Sequence, residues 1–186
     1  HGFGLPHSSG AYGQTYDNAW DVMSKDRYNC AAATDPTYGC IAQHTISYHK
    51  DLLGWIPAEQ KFMAASGDSS TITLEQLALP ETVNYKMAQI PIDGSSTHFY
   101  TVESRRLTGY DTKLAGAAVI IHEVDKARAR PAYVIDPDFN GVTSDAGAMW
   151  VAGETFVDST NNISVRVDSA TATGFQVTIM NNVPPA

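Results

Sequence analysis

The chain opens His1-Gly2-Phe3-Gly4-Leu5-Pro6-His7, two imidazoles in the pattern H-x-x-G-x-x-H. Imidazole nitrogen is a preferred ligand for zinc, so the first question is whether one metal can be reached from both ends of this heptad. If His1 closes a helix, Gly4 can take the left-handed conformation that a side chain resists, and Pro6 blocks further helix. His7 then swings back toward the metal that His1 faces. A hydrolytic zinc site takes three protein ligands and keeps one position open, so the heptad predicts a further ligand outside itself. On its own the pattern is short, and loops that bind nothing also contain it.

A second element follows a Gly- and Ser-rich connection: Tyr16-Asp17-Asn18-Ala19-Trp20-Asp21-Val22-Met23-Ser24. Histidines at this spacing followed by D-V-M-S resemble the elongated zinc motif and the Met-turn of metzincin peptidases, most closely the gametolysin-like and related secreted enzymes. The resemblance implies that His1 and His7 are the second and third zinc ligands and that Met23 forms the floor beneath the metal. It implies that the sequence enters the motif at its second histidine. The first histidine and the glutamate that serves as general base would then precede His1, leaving no catalytic residue in the chain. The parent would be a secreted, extracellular zinc metalloendopeptidase acting on protein or peptide substrates, and this chain alone would be inactive. Lys50-Asp51-Leu52-Leu53-Gly54-Trp55-Ile56 resembles the helix after the Met-turn, with its L-G-W ending.

Two other readings stay open. An N-terminal histidine can chelate copper through its amine and ring, as in polysaccharide monooxygenases with a histidine brace, with a second histidine completing the site. A β-sandwich that binds carbohydrate or protein without catalysis is the third. His44, His49, His98 and His122 show no ligand spacing and are read as structural or surface groups.

The elements that would position these residues fall into two textures. Residues 1–57 are turn-rich, with one helical stretch from about Gln43 to Trp55 whose apolar face is Ile46, Leu52, Leu53 and Ile56. From about Ser70, alternation with period two predicts strands at Thr71–Leu74, Met87–Ile92, Phe99–Glu103, Ala118–Val124, Ala132–Ile135, Ile163–Val167 and Phe175–Ile179. Turn signals such as Asp93-Gly94 and Asn140-Gly141 separate them. The expectation is an α+β chain: residues 1–57 as the C-terminal part of a catalytic domain, and residues 58–186 as an antiparallel β-sandwich.

Asp136-Pro137-Asp138-Phe139-Asn140-Gly141 matches the opening of a calcium loop, making Asp136, Asp138 and Asn140 candidate ligands, although Gly147 stands where the bidentate Glu belongs. Cys30 and Cys40 sit in a loop whose composition favours a local disulfide and hence an oxidising compartment. Asn162-Ile163-Ser164 is a glycosylation sequon.

Bulk properties exclude some partners. A net charge of −8 with 12 basic and 20 acidic residues argues against nucleic acid, because too few cations are present to displace counterions from phosphates. The longest apolar run, Ala115 to Ile121, is far short of a membrane span, so no insertion is expected.

Overall fold

The computed structural model describes residues 2–25 and 34–182. In chain order the elements are β1 (Ser9–Gly10), the small hairpin β2 (Thr34–Asp35) and β3 (Gly39–Cys40), α1 (Ser47–Leu52), β4 (Lys61–Met63), β5 (Asp68–Glu75) and β6 (Met87–Pro91). There follow β7 (His98–Arg105), β8 (Ala118–Asp125), β9 (Ala132–Val134), β10 (Thr155–Asp158), β11 (Ile163–Ala170) and β12 (Gly174–Asn181). The protein is β-rich. A six-stranded sheet runs β1-β9-β8-β7-β6-β4, and a four-stranded sheet runs β10-β11-β12-β5.

The two sheets share one core. Val102 of β7 and Val119 and Ile121 of β8 meet Leu74, Val165, Val177 and Ile179 from the second sheet. Each buries an apolar side chain worth roughly 1.5–3 kcal/mol relative to exposure. The seven predicted strands all form, within one to three residues at their ends. The sandwich is not purely antiparallel, however: β1 pairs β9 in parallel and β4 pairs β6 in parallel. These two short edge strands, like β10, lie outside the predicted set.

The six-stranded sheet is buried on its other face as well. Trp20 packs there against Ala118, Ile120 and Val134, while Ile46 and Tyr48 pack on Phe99, Val124 and Ala132. That double burial explains why β8 reads as a nearly continuous apolar run. The segments around Trp20 and Ile46 therefore form a third layer, and Ser9–Gly10 supply a strand to the sheet built by the later residues.

The predicted helix is shorter than its pattern suggests, Ser47–Leu52 rather than Gln43 to Trp55. Its beginning is displaced because the preceding residues serve as tethers: the Gln43 amide donates to the carbonyls of Ala19 (2.9 Å) and Lys25 (2.7 Å), and the His44 N–H donates to Asp111 (3.0 Å). The end follows the Schellman pattern, with Gly54 N–H donating to Asp51 O and Trp55 N–H to Lys50 O. Among the described residues no helix is long and apolar enough to cross a membrane.

Candidate metal centre

Within the heptad, residues 2–7 are described; His1 lies outside the described residues. Gly4 has φ +72°, in the left-handed region. A side chain at Gly4 would be forced into a sparsely populated conformation. His7 ends next to Met23: its Nδ1 lies 2.5 Å from the Met23 carbonyl oxygen. A carbonyl only accepts, so Nδ1 is the donor in this contact. Tyr16 makes a T-shaped contact with the same ring, with centroids 4.9 Å apart and planes at 79°.

Met23 sits in a turn, outside any helix, closed by the Ser24 N–H donating to Asp21 O at 3.0 Å. The side chain that fixes this turn is Asp21, which is fully buried. Its carboxylate accepts from Ser8 Oγ (2.6 Å), Thr45 Oγ1 (2.7 Å), the Met23 N–H (3.1 Å) and His49 Nδ1 (3.0 Å). Four donors from the residue after His7, the Met23 turn, the approach to α1 and α1 itself converge on one group. Burial by itself would raise the Asp21 pKa, but the His49 contact and the Ser8 and Thr45 hydroxyls win and hold it at about 2. Asp21, Ser8, Thr45 and Tyr16 were not picked out from the sequence. Asp21 stood inside the D-V-M-S stretch, but a lone aspartate carries no sign of the four partners that the fold brings to it.

Beside Met23 lies an apolar cavity of about 420 Å³, lined by Phe3, Leu5, Met23, Leu53, Trp55 and Tyr110 among others. Phe3 and Trp55 form an edge-to-face pair at its rim, with centroids 5.9 Å apart.

The remaining histidines have other partners. His122 is fully buried and accepts from Asn18 Nδ2 at 3.0 Å, His98 pairs with Glu123 at 2.7 Å, and His44 tilts against Tyr110. Burial pushes both His122 and His44 down to about 4. The unfolded chain takes up these protons near pH 6.5, well before the folded one does, so stability is complete above that pH and falls as pH drops toward 4. For His122 the loss is on the order of 2–3 kcal/mol. Asp21 acts lower, its contribution disappearing between about pH 4 and pH 2. Urea unfolding at pH 7.5, 5.5 and 4.5 is expected to show this decline, and His122→Gln is expected to flatten it. An unchanged slope in that variant would contradict the assignment.

In the candidate calcium loop several carboxylate oxygens accept from protein donors, while Asp136 Oδ1 is buried without one. Tyr12 donates to Asp136 Oδ2 at 2.5 Å, and that contact, together with partial burial, raises the Tyr12 hydroxyl to about 12. Asp138 accepts from the Asn140 backbone and side-chain N–H groups at 3.1 and 2.9 Å. At the twelfth position, a Cβ on Gly147 would lie 2.2 Å from Asp138 Oδ2, so a side chain there would require the Asp138 carboxylate to move. Among the described residues no group of three or more His, Cys, Asp or Glu side chains is arranged to hold a metal. Cys30 lies outside the described residues, and Cys40 ends β3. Asn162 is exposed in the turn between β10 and β11.

Comparison with protein-family models, with curated proteins and with solved structures found no match.

Proposed function

We propose that this chain is the C-terminal part of a secreted, metzincin-type zinc metalloendopeptidase, with His7 as a zinc ligand and Met23 beneath the metal. The observation that carries the reading is the His7 Nδ1 contact with the Met23 carbonyl, which joins the two halves of the sequence resemblance across sixteen residues. Zinc-ligating histidines characteristically donate their second ring N–H to a carbonyl or carboxylate, which fixes the tautomer and presents the other nitrogen to the metal. When bound, zinc would polarise the scissile carbonyl and lower the pKa of a water molecule. The chain's own part is to hold one ligand: Gly4 turns the backbone, Met23 O orients the ring, and Asp21 locks the Met23 turn to Ser8 beside it. His1 would be a second ligand. The reading requires a third histidine and a glutamate that the 186 residues do not supply in motif spacing. A disulfide between Cys30 and Cys40 and an extracellular location belong to the same proposal.

The test is a zinc titration of the 186-residue chain followed by NMR of histidine rings and methionine methyls. Zinc is expected to perturb His7 and Met23 first, and His7→Ala to abolish both responses. Perturbation confined to His98 or His122 would overturn the proposal. Tight copper binding through the amino terminus and His1, with no response at Met23, would favour the histidine brace.

A further inference from the structure

The turn between β10 and β11 sets two asparagines side by side, and the fold uses the side chain of only the first. Asp158 Oδ1 accepts from the N–H groups of Thr160 (3.0 Å) and Asn161 (3.2 Å). Its Oδ2 accepts from Asn161 Nδ2 (2.6 Å) and from the Tyr100 hydroxyl (2.9 Å). These four contacts hold the turn and tie it to β7. Asn162 is exposed, and its carboxamide has no partner among the described residues. Its backbone has φ +51°, a conformation that asparagine adopts more readily than most side chains. The backbone therefore favours asparagine at 162 and leaves its amide unused.

Two residues on, Ser164 stands on the outer face of β11 between the buried Ile163 and Val165. Asn162-Ile163-Ser164 is the one N-x-[ST] tripeptide in the 186 residues. The turn accounts for the asparagine but makes no demand for a hydroxyl two residues later. We propose that Asn162 is an N-glycan acceptor and that the folded protein carries the sugar at the β10–β11 tip. In the transfer, Asn162 Nδ2 bonds to the anomeric carbon of an oligosaccharide held on a polyprenyl diphosphate. The bond from that carbon to the phosphate oxygen breaks, the diphosphate leaves with the bonding electrons, and the amide gives up one proton. The transferase meets the chain before it folds, so the fold decides only whether the product can be accommodated. Here the glycan displaces no hydrogen bond of the turn and adds bulk at an exposed position. Its occurrence in the cell rests on the extracellular location proposed above, whereas the acceptor property of the turn is independent of zinc.

The test is expression of the 186-residue chain behind a cleavable signal sequence in a eukaryotic secretory host. The parent is expected to gain mass, and peptide-N-glycosidase to remove the gain while leaving aspartate at position 162, a mark read by peptide mass spectrometry. Ser164→Ala is expected to lose the modification entirely, although Asn162 and the turn are kept. Ser164→Thr should retain it. The glycosylated parent and the Ser164→Ala chain should melt within about 4 °C of each other, because the glycan replaces no contact of the fold. A parent without glycan at 162, a modification that persists in Ser164→Ala, or a larger drop in melting temperature on glycosylation would overturn the proposal. Where export is incomplete, the same assay on the chain held inside the secretory pathway gives the same reading. The zinc titration at His7 tests the peptidase proposal separately, so either can fail alone.

Discussion

Arg105→Ala is expected to destabilise the protein by roughly 3–5 kcal/mol, lowering its melting temperature by about 10 °C. Arg105 is fully buried in β7, on the face opposite the sandwich core. Its guanidinium grips Asp111 with two bonds (2.9 and 2.8 Å), Glu103 with one (2.9 Å), and the carbonyls of Trp20 (2.7 Å) and His44 (3.1 Å). Glu103 in turn accepts the N–H of Ser47, the first residue of α1. Alanine would remove five hydrogen bonds and leave two buried carboxylates without their counter-charge, which costs far more than an intact pair contributes. The same cluster ties the sheet to the segment just ahead of the Met23 turn, so packing around Trp20 should loosen in parallel. Arg105→Lys keeps the charge but not the two-pronged grip on Asp111 and should recover only part of the loss. Thermal unfolding followed by circular dichroism, with Trp20 fluorescence as a local probe, checks both expectations. A shift below about 2 °C for Arg105→Ala would show that the carboxylates are relieved in some other way.

The second large effect is on activity. The 186-residue chain is expected to hydrolyse no casein above background, even with added zinc. A hydrolytic zinc site needs three protein ligands and a positioned base, and general base catalysis alone contributes about 10²–10⁴-fold. His1 and His7 are the only histidines at ligand spacing. Among the described residues, the buried glutamates are placed elsewhere: Glu103 is committed to Arg105 and the Ser47 N–H, and Glu75 accepts from Asn84. Robust hydrolysis that disappears with chelator would mean that the ligand set and base have been misassigned.

Much of the architecture was readable from residue order. Strands such as β5, β11 and β12 announce themselves by period-two alternation because one face of each meets an apolar core, while β8 shows as a near-continuous apolar run because both its faces are buried. The short edge strands β1, β4 and β10 did not. The helix was overextended at both ends, and at its start tertiary tethers decided the boundary: Gln43 and His44 are worth more bridging to Ala19, Lys25 and Asp111 than continuing an isolated turn. Phe99, Thr101, Glu103 and Arg105 alternate along β7 and so share one face. That this face is covered by the segments around Trp20 and His44–Tyr48, turning Glu103 and Arg105 into an internal charge cluster, required the third layer.

For the site, the sequence by itself determined residue types and local turns: the two histidines, Gly4 able to turn left-handed, and Met23 in a short polar stretch. Only the tertiary structure decided that His7 and Met23 meet, that Asp21 gathers four donors around their junction, and that Tyr16 packs against His7. The physical reason is the range of the interactions involved. Alternation and turn chemistry act between near neighbours, whereas a buried carboxylate or an imidazole takes its partners from whichever segments the completed sheet brings together.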